Sequence, residues 1–482
     1  MKLKLLTLLC ILSCFFGAQA QKMSKLKKAA LQEAAALEPQ VTKLSQELWN
    51  YSETALKEAK SAKLLIDVLK KEGFKLEENV AGMPTAFVAT FGSGKPVIGI
   101  LAEFDALPGV GNEPVPYKKK RADGVMSGQG CGHNLFGSAS VNAAIALKRT
   151  MSKRKIKGTI KLFGTPAEET VVGKVYMAKD GVFNGLDAVI EWHPATTNGV
   201  NFGKSLAMNN FEVEFFGQSA HGAADPWNGR SALDGVEMMN YGVNLMREHV
   251  YPTTRIHYVI PNGGGAPNVV PDYAKVWYFV RDTSRANVEK FYQRIQQIAK
   301  GASIATNTTY KVRLITGVHA YNRNEPMMRA MEKNILLVGA PKFTEEEQAW
   351  GKKLQKSAGK KALGFKTDIK KIPSDWRKVL PSGGSTDVAE VSFITPTAGF
   401  GVATAPFGVP WHSWATSSSH GTSAGYKGAL AATKILTLTG IDLLTDRKLL
   451  EAAKADFQKS TGGKAYQSPL PTGQQVILPK QK

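Results

Sequence analysis

The sequence predicts an α/β fold: a mixed, mainly parallel sheet with helices on both faces, interrupted by an inserted ferredoxin-like α+β unit. Three observations carry this expectation. Apolar strand candidates alternate with helical periodicity as far as residue 206, the pattern of a parallel sheet covered on both sides. Between 207 and 322 the order becomes β-α-β-β-α-β, with strands that alternate polar and apolar residues. Beyond 323 the helical periodicity returns.

The elements follow in order. Over 24–72 the spacing predicts helix, with Leu44, Leu48 and Tyr51 on one face and Leu64, Leu65, Val68 and Leu69 on another. Thr85–Phe91 and Val97–Ala102 read as strands, Gly137–Met151 as a helix of small residues, and Thr159–Phe163 and Asp187–Glu191 as further buried strands. Met208–Phe216 alternates and stops at Gly217, which suits an antiparallel strand with one exposed face. A helix over Ser231–Arg247, strands at Thr254–Ile260 and Ala274–Val280, a helix over Ala286–Lys300 and a strand at Thr309–Thr316 complete the inserted unit. In the last part, Thr344 to Glu347 forms a capping box opening a helix. Val388–Phe393 and Thr397–Thr404 are strand candidates, and Ala424–Leu438 is a helix. The tail from Ser460, rich in Gly, Pro, Gln and Lys, is expected to be loosely held. The expected division is therefore a leader over 1–20, a larger domain over 21–206 and 323–482, and an inserted domain over 207–322.

The leader has its own chemistry. MKLK is followed by an apolar run from Leu5 to Phe16 and then Ala18-Gln-Ala20, the order of a secretory signal cleaved after Ala20. Export to the periplasm is the expectation; a lipid anchor on Cys14 is the alternative. Cleavage removes Cys10 and Cys14 and leaves Cys131 without an intramolecular partner, so it is buried, reactive or metal-bound. No other apolar run approaches the ~20 residues needed to span a membrane. A net charge of +22, with YKKKR at 117–121, raises nucleic-acid binding as a reading. The lysines lack interleaved aromatics and a nucleic-acid motif, so a solvated basic surface is preferred.

The chemistry sits where strands end. Glu103 and Asp105 follow the strand ending at Ala102, Glu168 and Glu169 follow the strand at 159–163, and His193 follows the strand at 187–191. Ligands of open parallel sheets bind at those carboxyl ends. Cys131 and His133 lie in the glycine-flanked loop GQGCGHN, 128–134, and a thiolate beside an imidazole favours a transition metal over calcium or magnesium. Adjacent Glu168 and Glu169 cannot point the same way from an extended segment, so one can bind metal while the other acts as base. His412, between Trp411 and Trp414 in PWHSW, is chosen as a further ligand; His420 is its substitute. The two tryptophans can exclude water and stack on an aromatic substrate group.

These motifs resemble the co-catalytic metallo-aminoacylase and carboxypeptidase superfamily, in its hippurate-hydrolase-like amidohydrolase branch and most nearly its aminobenzoyl-glutamate hydrolase group. The carriers are AEFDALPGVG (102–111), GQGCGHN, GTPAEET (164–170), EWHP (191–194), GQSAHGAADPWNGRSALDGVE (217–237), GGGAPNVVPD (263–272), SGGSTDVAEVS (382–392) and PWHSW (410–414). The resemblance implies a di-metal peptidase-like catalytic domain, with the inserted unit as a lid and dimerisation domain. It implies two divalent ions, zinc or manganese, held by Cys131, His133, Glu169, His193 and His412. It implies Glu168 as general base, Asp105 as support behind the ligands and His221 as the lid group that stabilises the tetrahedral intermediate. Asn268 and Arg281 would contact substrate, Arg281 through its carboxylate. Ser385 and Asp387 are carried as further candidates. Asn134 stands where branches with GCGHD have an acid. The expected function is hydrolysis of N-acyl amino acids, aminobenzoyl-glutamate-like compounds leading, by a homodimer or a hetero-oligomer. A metallo-dipeptidase of the same fold and a non-catalytic periplasmic peptide-binding protein are the alternatives.

Overall fold

The computed structural model describes residues 23–379, 381 and 383–479. The expected leader, with Cys10 and Cys14, lies outside the described residues. Two sheets organise the chain. The larger contains β1 (Lys75–Glu78), β2 (Phe87–Ser93), β3 (Val97–Ala102), β4 (Gly158–Gly164), β5 (Ala188–Ala195) and β6 (Asn198–Val200), then β11 (Ile369–Lys370) and β12 (Thr397–Ala403). The smaller contains β7 (Ala207–Phe216), β8 (Arg255–Asn262), β9 (Tyr273–Asp282) and β10 (Thr309–Val318).

The larger sheet runs β1-β2-β4-β3-β5-β12-β6-β11. Its centre, β4-β3-β5-β12, is parallel, with Val97 opposite Thr159 and Gly401 opposite His193. These strands are buried along most of their length, which is why they read as apolar runs without clean alternation. The helix His133–Arg154 lies across them and packs on the helix Ser423–Thr445. Ser423–Thr445 is long and apolar enough to cross a membrane, but here it is a core helix, buried from Ala424 to Leu444 with few exceptions.

The smaller sheet has the order β10-β7-β9-β8, all antiparallel, with helices Ala232–Met246 and Arg285–Ala305 between its strands in sequence. That is the ferredoxin-like arrangement, and it owns a separate core in which Phe211 stacks on Tyr278 at 5.5 Å and meets Tyr292 edge-on at 4.7 Å. β10 carries a bulge between Leu314 and Thr316.

Several expectations are refined or corrected. The region over 24–72 is helical as expected, divided into Lys25–Ala35, Glu38–Tyr51 and Ala59–Lys71. The small-residue helix begins at His133, four residues before Gly137. Val388–Ser392 is a short helix, not a strand: Val388 and Val391 fit a helical face as well as a strand, and a short apolar run does not separate the two. The tail from Ser460 is docked. Leu470 is buried, Tyr466 donates to Glu390 at 2.5 Å, and Gln474 donates to the carbonyl of Leu314 at 2.9 Å. Its polar side chains find a buried carboxylate and backbone carbonyls of β10, which composition alone does not reveal. Arg121, at the end of the basic run, is also buried. It stacks on Trp49 at 4.3 Å and donates to the carbonyls of Trp49 and Asn50.

Asp187, just before β5, ties the sheet together. Its carboxylate accepts the Val97 N–H at 2.7 Å and pairs with Lys95 at 3.1 Å and Lys454 at 2.5 Å. Burial alone would raise its pKa, but the donors of Lys454, Val97 and Lys95 outweigh burial and hold it below the ordinary aspartate range. The stabilisation is therefore complete at neutral pH and lost as pH falls through that lowered pKa. Asp187→Asn is expected to cost ~1–3 kcal/mol at pH 7. Urea midpoints checked at several pH values should show the gap to wild type closing as the solution is made strongly acidic.

Candidate metal centre and general base

The chemistry-bearing side chains meet at the carboxyl edge of the parallel strands. β3 ends at Ala102 and delivers Glu103 and Asp105; β4 ends at Gly164 and delivers Glu168 and Glu169. His193 lies within β5, which runs farther than expected, and the chain beyond β12 returns through His412. Parallel pairing sets these ends side by side.

Cys131 and His133 come from the loop that enters the helix His133–Arg154. Gly132 between them has φ of 83°, and a Cβ there would lie 2.9 Å from Pro194 and from the His420 ring. Glycine alone accepts both the left-handed backbone and that approach, so thiol and imidazole turn into one space. Cys131 Sγ lies 3.5 Å from His193 Nε2. His133 Nδ1 lies 2.9 Å from Asp105 Oδ1, which leaves Nε2 facing Glu103 Oε2 at 3.1 Å and Glu168 Oε2 at 3.9 Å. His412 Nε2 lies 3.5 Å from Glu169 Oε2.

Three sets of ligand atoms result among the described residues, each within 4.8 Å: Cys131–His133–His193 and Cys131–Glu169–His412, which share the thiol, and Glu103–His133–Glu168. Separations of 3.5 Å are those of two atoms on one cation at bond lengths of ~2.0–2.3 Å. The tautomers fit as well. His193 Nδ1 donates to the Pro194 carbonyl at 2.7 Å and His133 Nδ1 to Asp105. In both rings Nε2 keeps its lone pair for a metal. Among the described residues Glu169 Oε1 is buried with no hydrogen-bond partner, and Glu103 Oε2 and His133 Nε2 have none besides their 3.1 Å contact with each other, a costly state that a bound cation would relieve. The clustered residues fit a di-metal site.

Crowded acids shape the electrostatics. Burial, then Glu103 and Asp387, push the Glu168 carboxyl well above the usual range. Burial pushes Glu169 up to about 7, with His133 opposing and Asp105 and Glu103 adding. Burial and then Glu169 raise the Cys131 thiol; a coordinating cation reverses that and deprotonates it.

The turn bearing Glu168 and Glu169 is strained and anchored. Ala167 and Val171, at its two ends, have φ of 58° and 57°, left-handed values that are unfavourable for a non-glycine and most of all for a β-branched residue. Three buried carboxylates hold its backbone and that of the helix after it. Glu58 accepts the Ala167 N–H at 2.9 Å, Asp105 the Glu169 N–H at 2.9 Å, and Asp387 the Lys174 N–H at 2.9 Å. Glu58 also accepts the Thr85 hydroxyl, and burial followed by the Asp105 charge raises it to about 8.

Lys174 and Glu58 are not among the residues that sequence reasoning singles out, and it places Glu103 without giving it a role. The fully buried ammonium of Lys174 spans Glu103 Oε1 and Asp387 Oδ1, each at 2.7 Å. Its signal was available: a lysine inside the apolar run VVGKVYM needs a buried partner. Glu58 carries no local signal. Asp387 thus backs the site through Lys174, while Ser385 is half-buried and its hydroxyl has no partner among the described residues.

His420 is corrected from substitute ligand to brace. It is buried, with Nδ1 on the Gln129 carbonyl at 2.6 Å and Nε2 on Thr404 Oγ1 at 3.1 Å, so neither nitrogen is free. Asn134 donates its amide to the carbonyls of Ser45 and His420, both at 3.0 Å, a task an acid cannot perform. Trp411 lies against His193 at 6.5 Å and His420 at 5.6 Å. Both Trp411 and Trp414 pack on a small cluster with Leu354 and Val409.

The inserted unit holds the remaining candidates. His221 is exposed, and its Nδ1 accepts the N–H groups of Ala223 at 3.2 Å and Ala224 at 3.1 Å, so a neutral ring carries its proton on Nε2. Exposed Asn268 lies beside it, its carbonyl accepting the Gly222 N–H at 2.8 Å. Arg281, on β9, packs over Phe279 at 5.3 Å; its Nε is buried without a partner and it forms no ion pair among the described residues. Asp282 is not its partner, being held by Thr254 at 2.6 Å and Asn287 at 2.8 Å. Among the described residues no hydrogen bond or ion pair joins His221, Asn268 or Arg281 to the metal cluster.

Residues 99–373 match the family model described as Peptidase family M20/M25/M40. A p-aminobenzoyl-glutamate hydrolase subunit of Escherichia coli strain K12 is 34% identical over 453 residues, covering 89% of this chain and 94% of that protein. The Xaa-Arg dipeptidase of Mus musculus is 27% identical, covering 92% and 94%. Among solved structures, the aminobenzoyl-glutamate utilization protein from Klebsiella pneumoniae superposes with a TM-score of 0.58 at 18% identity, over 87% of this chain and 98% of that one. With the fold, the clustered ligands and these matches together, the chain belongs to peptidase family M20/M25/M40 and is a metal-dependent amidohydrolase acting on amide bonds.

Proposed function

We propose that the protein hydrolyses N-acyl amino acids, with aminobenzoyl-glutamate-like compounds as the leading substrates, using two zinc or manganese ions and Glu168 as general base. The observation that carries this reading is the arrangement of the acids: the two ligand triads that share Cys131 are complete without Glu168, whose buried carboxyl lies beside them and meets His133 in a third, thiol-free grouping with Glu103. A 34% identical relative named for p-aminobenzoyl-glutamate supports the substrate class.

The bound cations would be held by Cys131, His133 and His193 on one side and Cys131, Glu169 and His412 on the other, and supply Lewis acidity toward water and carbonyl. Glu168 takes the proton of the attacking water and passes it to the leaving amine nitrogen. His221 donates Nε2–H to the developing oxyanion, a contact worth roughly 3 kcal/mol in other hydrolases. Arg281 takes the substrate carboxylate in a two-pronged pair, and Trp411 lines the acyl side. Asp105 and Lys174 bind nothing directly; they hold His133 and Glu103 in place.

The lid also supports a homodimer. Met238, Tyr241 and Leu245 are exposed along one face of the helix Ala232–Met246, and Val259 and Ile260 are exposed on β8, the edge strand. Export to the periplasm rests on the leader sequence. The identity of 27% to an Xaa-Arg dipeptidase makes dipeptide hydrolysis the second reading.

Glu168→Gln should lower kcat by about 10²–10⁴-fold while metal content, measured by elemental analysis, stays at that of wild type; retained turnover would remove Glu168 as base. Because both triads share the thiol, Cys131→Ala should deplete both metals, whereas His412→Ala should deplete one. Arg281→Ala should raise KM at least about tenfold for substrates with a free carboxylate and leave their amide-capped analogues unaffected. A panel of N-acyl amino acids and dipeptides, assayed with the zinc and manganese forms, separates the two substrate readings.

A further inference from the structure

The strand that returns from the lid touches the strained base turn directly. Thr316, on β10 just past the bulge, is fully buried and donates its hydroxyl to the Val171 carbonyl at 2.6 Å. Val171 ends the turn of Glu168 and Glu169 in a left-handed conformation, and its N–H donates to the Glu168 carbonyl at 2.6 Å.

The bulge explains how Thr316 reaches that far. It removes Ile315 from the ladder with β7, and an unpaired bulge residue exposes backbone groups to other partners. The Ile315 carbonyl accepts the Tyr176 hydroxyl at 3.2 Å and the Gln474 amide at 3.3 Å, and the Leu314 carbonyl accepts the same amide at 2.9 Å. Tyr176 lies on the short helix Gly173–Lys179 that also carries Lys174. Gln474 belongs to the docked tail, which runs past Gly317 so closely that a Cβ there would lie 3.0 Å from Pro469. Beyond the bulge, fully buried Glu390 accepts the backbone N–H of His319 at 2.6 Å, its ring Nδ1 at 2.9 Å and the Tyr466 hydroxyl at 2.5 Å. Glu390 is three residues after Asp387, which holds Lys174. Apart from the ladder with β7, these hydrogen bonds on residues 314–319 lead to the base turn, to the elements behind it, or to the tail.

We infer that Thr316 is a positioning residue for the general base, and that the tail segment 464–476 straps the lid strand so that this contact is kept. The hydroxyl of Thr316 holds the Val171 end of a turn whose other backbone anchors are Glu58 and Asp105, while Asp387 holds the helix that follows it. Without it the strained Val171 relaxes, and the Glu168 carboxyl loses its register with the metal cluster although no ligand has been touched. The kinetic part of this inference rests on Glu168 being the base; the conformational part does not.

The test uses the full-length metal-loaded protein and the variants Thr316→Val, Thr316→Ser and Gln474→Leu. Val preserves the shape of Thr and removes its hydroxyl; Ser restores the hydroxyl. Thr316→Val is expected to lower kcat about tenfold, a loss of register being enough for that, with KM and metal content unchanged. Amide hydrogen exchange of Glu169 and Lys174, which donate to Asp105 and Asp387, is expected to quicken about tenfold. Thr316→Ser should return both readouts to wild type, and Gln474→Leu should move both in the same direction by a smaller factor. Wild-type exchange in Thr316→Val, or a Thr316→Ser variant as impaired as Thr316→Val, overturns the inference. Should Thr316→Val fail to fold, Gln474→Leu decides by the same exchange readout. Faster exchange in a protein with no amidase activity would support the coupling and overturn the base assignment instead.

Discussion

The rest of the structure depends on the burial of many carboxyl groups in one place. Glu58, Glu103, Asp105, Glu168, Glu191 and Asp387 are all buried around the carboxyl edge of the sheet, with Glu169 beside them. Unpaired, such a concentration of like charge is prohibitive. Backbone N–H groups, one buried lysine and two imidazoles offset part of it, and the ligand geometry accommodates cations that offset the rest. The raised pKa of Glu191, about 8 through burial and then Glu103, is the mark of that crowding even one strand residue away from the ligands.

The same constraint explains the local backbone. A turn that must present two adjacent acids in different directions cannot be regular. Here it is bracketed by left-handed Ala167 and Val171, each costing of order 1–3 kcal/mol. The cost persists because the surroundings over-determine the turn: carboxylates accept its N–H groups, and a lid hydroxyl donates to its carbonyl. Acids that look like electrostatic liabilities are thus also the turn's scaffold. Lys174 serves both ends of this arrangement, its ammonium on Glu103 and Asp387 and its own N–H on Asp387.

The lid brings a complementary set. The catalytic domain offers acids, a thiol and imidazoles; the lid offers donors, with the His221 ring proton on Nε2 and an Arg281 guanidinium that no acid claims among the described residues. On the proposed reading, a substrate with a terminal carboxylate and a polarised carbonyl would satisfy both sets at once, and closure would remove water from between them.

Much of this was legible from residues in sequence. The alternation of apolar runs indicated the class of sheet, and the β-α-β-β-α-β order identified the inserted unit, because both follow from periodicities that neighbouring residues impose on themselves. The loop Gly130-Cys-Gly-His, the paired Glu168 and Glu169 and the strand-end position of His193 announced a metal chemistry through side-chain type and spacing. What the tertiary structure alone decided were matters of partnership between distant residues. It separated His412 from His420 by occupying both nitrogens of the latter. It gave Lys174 its two acids, recruited Glu58 from far upstream, and turned a tail of loop-like composition into a docked strap. Local pattern records what a residue prefers, whereas hydrogen bonds and burial across a hundred or more positions depend on where folding brings the chain together.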